Sequence, residues 1–198
     1  MVYCKEKGVK GMYKFCKTEQ SFQRQRELER GLLSMMVSHR FDEISVSDLC
    51  DRMGIPRKSF YRYFSSKDGA LHALLDHTIM EFYDTGSIEG LRGGTPIGDL
   101  ERFFLFWKEH KKILDAVMRS NLGGMLVKRA VTLAKEEELM PSYVREWESM
   151  LKDVAMSFVV CGLMSMVFQW HREGFRIPVE RMAKAAVTML SRPLIPTI

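Results

Sequence analysis

The chain of 198 residues is poor in cysteine, with only Cys4, Cys16, Cys50 and Cys161. None forms a CxxC pair, and none stands at zinc-ligand spacing from a histidine. So few cysteines in a chain this long argue against a disulfide framework and make a reducing cytosol the expected compartment. The N-terminus lacks a continuous apolar run, which excludes a secretory signal. No stretch alternates apolar and polar residues long enough to propose a sheet. GxSxG, HExxH and P-loop patterns are all absent, so neither an enzyme, a cofactor nor a metal site is expected. His72 and Asp76 stand four apart, but the sequence nominates no third ligand, and a solvated helix face is the better reading. Internal repeats and low-complexity tracts are missing too. Only one long uncharged run exists, residues 154–170. At 1.5 Å per residue it reaches about 26 Å, short of a bilayer core of about 30 Å. Ser157, Gly162, Ser165 and Gln169 interrupt it, so it reads as a core and interface helix and not a membrane span.

What the chain does have is an ordinary globular balance, 46% apolar and 28% charged residues. Its formal charge is +5. That excess sits in the first 26 residues, where Lys5, Lys7, Lys10, Lys14, Lys17, Arg24 and Arg26 face only Glu6 and Glu19. A basic arm on a neutral body points to a polyanion partner; on charge alone a solvated tail fits as well.

Helical periodicity runs through the rest. Phe22, Leu28, Leu32, Met35 and Met36 predict a helix over residues 21–38. Ser45 or Ser47 is suited to cap a short helix carrying Val46, Leu49, Cys50 and Met53, and Gly54 to stop it. Pro56 fits the first turn of another short helix, expected to run to about Phe64. Ser65 or Ser66 then opens a helix with Asp68 as a capping acid and Ala70, Leu71, Leu74, Leu75, Ile79, Phe82 and Tyr83 as its buried stripe. Residues 86–98 hold five glycines and one proline and read as a hinge. Beyond it, Ile97, Leu100, Phe104, Trp107, Lys111, Leu114 and Met118 predict one long helix, broken at Asn121–Gly124. Pro141 is expected to start the longest helix. Along it Val144, Trp147, Leu151, Val154, Phe158, Cys161, Ser165 and Phe168 form a seam suited to a partner helix. Pro178 opens a last helix to about Ser191.

The informative block is residues 44–75. A short helix, a glycine turn and a second short helix place Arg57, Lys58, Ser59, Tyr61, Arg62 and Tyr63 within seven positions. A helix of this kind fits the major groove of B-DNA, where Arg reads guanine and hydroxyls and lysines grip phosphates. Phe60 and Phe64, four apart, are placed to pin it to a core.

This block resembles the DNA-binding head of the TetR family of bacterial transcriptional regulators. The resemblance rests on Phe41, Ile44, Val46, Leu49, Gly54-Ile55, the run Phe60-Tyr61-Arg62-Tyr63-Phe64, and Ser66-Lys67, and it covers roughly residues 21–83. It implies an all-α fold of about nine helices. A flexible basic arm (1–20) would precede a three-helix helix-turn-helix head (21–66) and a connecting helix (67–85). After the glycine-rich loop, residues 99–198 would form a ligand-binding and dimerising body. Residue by residue it implies that Arg57, Lys58 and Ser59 lie nearest base edges. Tyr61, Tyr63 and Lys67 would meet phosphates, Ser45 and Ser47 the backbone, and Arg62 a base or a phosphate. Pro56 departs from the small hydroxyl cap common before the recognition helix, which leaves its capping open.

The resemblance further implies a homodimer on a palindromic site in double-stranded DNA, most often a ligand-responsive repressor. A regulator acting through a partner protein without touching DNA is the alternative. The body is rich in methionine and aromatics. Phe103, Phe106, Trp107, Met118, Met125, Trp147, Met150 and Phe158 are candidates to line a pocket for a hydrophobic or aromatic effector, with ordinary core packing as the competing reading for each. Val154, Cys161, Met164, Phe168, Met182 and Met189 are candidates for the dimer interface.

Overall fold

The computed structural model describes residues 11–84, 95–136 and 148–191. Among them nine α-helices follow one another with no strand, as the sequence predicts: α1 (Glu19–Met36), α2 (Val46–Met53), α3 (Arg57–Tyr61), α4 (Lys67–Phe82), α5 (Pro96–Glu109), α6 (Lys111–Arg119), α7 (Gly123–Glu136), α8 (Ser149–Arg172) and α9 (Val179–Ser191). A 3₁₀ turn, Phe41–Glu43, lies between α1 and α2. The chain divides into two units, Met1–Met80 with Asp115–Arg129, and Glu81–Leu114 with Ala130–Ile198.

In the first unit α1 begins where the Thr18 hydroxyl accepts the Ser21 amide. Its buried face, Leu28, Leu32 and Met36, follows the helical period. The core also takes in Ile44, Leu49, Phe60, Phe64, Leu71 and Leu75, each at most 3% exposed. The buried carboxylates of this core have partners. Glu29 is fully buried and receives Arg26 at 2.7 Å and His77 Nδ1 at 2.8 Å. The His77 ring is flanked edge-on by Tyr13 and Phe22. Asp76, read in the sequence as part of a solvated helix face beside His72, is instead fully buried. Both oxygens of its carboxylate accept from Arg129, at 2.5 and 2.8 Å, and one also accepts from the Tyr13 hydroxyl at 2.7 Å. Burial with such partners is what makes a carboxylate tolerable there.

In the second unit α5 packs along α9 and touches α8. Trp170 is its central side chain, 1% exposed, with Phe104 and Phe175 meeting it edge-on at 5.8 and 4.8 Å. The indole N–H donates to the Ile177 carbonyl at 2.9 Å. The single long helix expected across residues 97–118 is two helices. His110 leaves helical geometry, with its ring stacked on Phe106 at 4.0 Å and Nδ1 on the Phe106 carbonyl at 2.8 Å. The Phe106 carbonyl therefore accepts both the amide and the ring nitrogen of His110 at the end of α5. Most of the glycine-rich stretch 86–98, Pro141, and the seam positions Val144 and Trp147 lie outside the described residues.

Candidate nucleic-acid interface

The site is built from capping chemistry. Ser45 is the N-cap of α2; its hydroxyl accepts the Asp48 amide at 3.1 Å, and the Asp48 carboxylate accepts the Ser45 amide at 2.9 Å. The reciprocal pair is a capping box, and the hydroxyl and amide of Ser45 hold the Asp48 carboxyl below its ordinary value. At the other end Gly54 has φ +63°, ψ +37°, the left-handed conformation that glycine adopts without penalty. Its amide and that of Ile55 close on the Asp51 and Cys50 carbonyls, at 3.1 and 3.0 Å. The chain thus reverses within two residues.

Pro56 then stands at the N-cap of α3, one position earlier than the first-turn place expected for it. It supplies no side-chain cap, and only its carbonyl engages, accepting the Ser59 amide at 2.8 Å. The recognition helix is five residues long and ends at Tyr61, short of the expected Phe64; Arg62 to Phe64 continue as turns on the Phe60 carbonyl. Phe60 is fully buried against Phe64, ring centroids 5.1 Å apart. That contact points the opposite face outward. Arg57, Lys58, Tyr61 and Arg62 are exposed and Ser59 is half-buried. A hydrogen bond to Tyr61 pushes the Arg57 guanidinium above its ordinary value. This outward face carries three cations and no acid, a surface matched to phosphates and to acceptor-rich base edges.

Other expected contacts sit differently. Ser45 is exposed and Ser47 half-buried at the start of α2. Tyr63 is 8% exposed, with its ring on Phe64. Lys67 turns inward. Its ammonium donates to the Phe41 carbonyl at 2.6 Å, to Ile44 at 2.5 Å and to Asp42 at 3.4 Å, and lies 4.4 Å over the Phe41 ring. The Phe41 amide in turn donates to Ser120 Oγ at 2.9 Å. Lys67 therefore fastens the 3₁₀ turn ahead of α2. Ser66, not Ser65, caps α4, accepting the Gly69 amide at 3.1 Å.

The basic arm also differs from a free tail. Residues 12–14 run antiparallel to residues 63–65 at the exit of the recognition helix, with Tyr13 bridged to Phe64. The Lys14 amide donates to the Tyr63 carbonyl at 2.7 Å, and the Met12 carbonyl accepts both the amide and the hydroxyl of Ser65, at 3.0 and 2.9 Å. Gln25 holds the Lys14 carbonyl at 3.0 Å and the Cys16 thiol at 3.2 Å. The sequence reading had no signal for this pairing, except that Gly69 is an unexpected residue in the first turn of a helix.

In the body, Phe103 and Phe106 meet through Phe82, at 5.8 and 5.3 Å, and Trp107 is edge-on to Phe106 at 5.5 Å. Met118 and Met125 belong to the first unit. Met150 and Phe158 are 71% and 70% exposed, apart from that aromatic cluster. Trp147 lies outside the described residues. Of the candidate interface residues, Val154, Cys161 and Met189 are exposed, Phe168 is half-buried, and Met164 and Met182 are buried within the second unit.

A helix-turn-helix with a cationic outer face, followed by further helices, is an arrangement suited to holding DNA. The comparisons are in keeping with it. The family model described as bacterial regulatory proteins, tetR family, matches residues 33–74. The fold is similar to that of the dihydroxyacetone kinase operon activator DhaS, at 16% identity and TM-score 0.57, covering 85% of this chain and 94% of that one. It is similar to a tetR-family transcriptional regulator from Streptomyces coelicolor, at 24% identity and TM-score 0.55, covering 82% and 78%. The TetR family repressor AlkX from a Dietzia species gives 18% identity, TM-score 0.53, and coverage of 83% and 92%. No curated protein matches the sequence. Residues 33–74 thus match the tetR-family model, and the all-helical fold is similar to that of these solved regulators.

Proposed function

We propose that the protein is a sequence-specific transcriptional regulator that binds a palindromic operator as a homodimer and releases it in response to a hydrophobic or aromatic effector. The observation that carries the DNA-binding part is the outer face of α3, where Arg57, Lys58, Tyr61 and Arg62 stand exposed over a buried Phe60. In this reading Arg57, Lys58 and Ser59 reach base edges, while Tyr61, Arg62 and the Ser45 end of α2 meet phosphates. Tyr63 and Lys67 hold the helix in place.

Dimerisation is supported by α8. Leu151, Val154, Phe158, Cys161 and Ser165 step by three and four along one exposed side, and Met189 and Leu190 of α9 are exposed as well. By length and composition α8 is also long enough to cross a membrane. A long apolar helix is equally what a subunit seam requires. Two recognition helices related by a two-fold axis would enter major grooves about 34 Å apart. The aromatic cluster of Phe82, Phe103, Phe106 and Trp107 supports an apolar effector. Similar folds include both an activator and a repressor, and repression is the sign proposed here. The compartment proposed is the cytoplasm, where such an operator lies.

The test is binding of the purified protein to DNA flanking its own gene, with excess competitor, at two salt concentrations. A competitor-resistant palindromic footprint, weaker at high salt, is the expected result. No binding at low salt would overturn the reading in favour of a regulator that works through a partner protein.

A further inference from the structure

The recognition helix is a single turn plus one residue, and neither end carries a side-chain cap. A helix this short does not hold its own orientation. Gly54 fixes its entry, and residues 12–14 are the only extended segment bridged to its exit among the described residues. We propose that these residues form a strap that positions the recognition helix for sequence readout. In this proposal the Tyr13 phenol is the latch and the buried Asp76–Arg129 pair is the catch it closes on. The proposal rests on the DNA-binding reading above.

Three observations converge on it. The strap makes main-chain bonds on both sides of Phe64, through Lys14 to Tyr63 and through Met12 to Ser65. Its side chain reaches α4 through the Tyr13 hydroxyl on Asp76, at 2.7 Å, and through the Tyr13 ring edge-on to His77, centroids 5.7 Å apart. Asp76 is oriented for that bond by the two-pronged Arg129 guanidinium. Finally, the Met12 carbonyl crosses α4 so closely that a Cβ on Gly69 would overlap it, and the obstacle is backbone that already accepts two hydrogen bonds. A glycine inside a helix is ordinarily a weakness. Here it is the groove in which the strap lies. None of the three latch residues carries a side chain on the cationic outer face of α3, so each is a positioning residue.

Two variants of the full chain test this. Tyr13→Phe removes one hydroxyl, and Gly69→Ala fills the groove with the best helix-forming residue. The first readout is amide hydrogen exchange at Lys14 and Ser65, with α1 amides as internal reference. The second is the ratio of operator affinity to competitor affinity, with its salt slope. Exchange at Lys14 and Ser65 should quicken by about tenfold in Tyr13→Phe, as expected for loss of one hydrogen bond to a charged group, and by at least as much in Gly69→Ala, where the Met12 backbone is displaced. The operator-to-competitor ratio should fall by a similar factor. The salt slope should not change, because no phosphate contact is lost.

Unchanged exchange in both variants would overturn the latch. Faster exchange with an unchanged affinity ratio would overturn the positioning role. A shallower salt slope would make the strap a phosphate-binding element and overturn it as well. A parent protein that binds no operator at all would overturn the regulator reading, and the positioning role with it. The exchange data, which need no DNA, would still decide the latch, so the two failures are distinguishable.

Discussion

Helices α4 and α8 are both long and rich in apolar residues, yet the protein treats them oppositely. Ten of the sixteen residues of α4 are buried, among them Asp76, His77 and Thr78. Only four of the twenty-four residues of α8 are buried: Met156, Met164, Val167 and Trp170. Asp76, His77 and Thr78 of α4 are satisfied inside the chain, by Arg129, Glu29 and the Leu74 carbonyl. The apolar groups of α8 have no such cover among the described residues, and Val154 and Phe158 are 61% and 70% exposed. Composition alone does not separate the two helices. In the dimer proposed above the difference is whether the neighbours come from the same chain, and exposed apolar surface on this scale suits an interaction face.

The largest effect should come from breaking the α8 side. Phe158→Asp puts a carboxylate into the proposed seam, twice per dimer by symmetry, and an unpaired charge there weakens association by at least about a thousandfold. Sedimentation equilibrium should show a folded monomer with unchanged helical circular dichroism, and operator affinity should fall with it. A Phe158→Asp protein that stays dimeric would remove this stripe from the interface.

The α4 side should break next. Asp76→Ala leaves the Arg129 guanidinium buried without its carboxylate, which costs about 3–5 kcal/mol. Urea unfolding measures it. The double replacement Asp76→Leu with Arg129→Met should recover most of the loss, since an apolar pair of similar volume avoids the desolvation of both charges. Parent-like stability in Asp76→Ala would mean that the ion pair contributes nothing.

A third, smaller loss is expected at the start of α4. Lys67→Met keeps the stem over Phe41 but removes the hydrogen bonds to three carbonyls, a loss of about 2 kcal/mol. The readout that sharpens the comparison is DNA binding once stability is restored, for instance at lower temperature. A lysine that only fastens the 3₁₀ turn leaves the salt slope intact, whereas a phosphate contact reduces it by about one.

The head was legible because its signals are short-range. Ser45 or Ser47 stands just ahead of an apolar-periodic run, Gly54 is suited to stop it, and Phe60 and Phe64 share a helix face. The helix-turn-helix follows from those spacings without knowledge of the rest of the chain. What stayed hidden is long-range. Tyr13 and Asp76 are 63 residues apart, and Asp76 and Arg129 are 53 apart. A two-residue bridge has no periodicity, so residues 11–16 read as a basic tail. Lys67 was legible as a lysine at a helix start, but its direction was not, because the carbonyls that capture it belong to residues 41–44. The break at His110 falls where the apolar spacing is unbroken, so periodicity gave no sign of it. In the body, exposure on α8 was hidden because a seam and a core stripe share one spacing.

The smallest prediction isolates a purely local device from these tertiary ones. The Asp48 carboxyl is held below its ordinary value by Ser45, first through the hydroxyl and then through the amide. A depressed carboxyl contributes stability above its unfolded pKa, and that contribution is lost as pH falls through the lowered folded value. Asp48→Asn keeps an acceptor for the Ser45 amide but removes the charge at the N-terminus of α2. The variant should therefore melt slightly below the parent at neutral pH. The gap should stay constant down to the ordinary aspartate range and close below it, as the parent's carboxylate takes up its proton. Thermal melts at half-unit intervals from pH 6 to pH 3 would show this. A gap that persisted unchanged at the acid end would mean that the loss comes from altered packing and not from the capping charge. The start of α2 would then depend on its neighbours as heavily as α4 does.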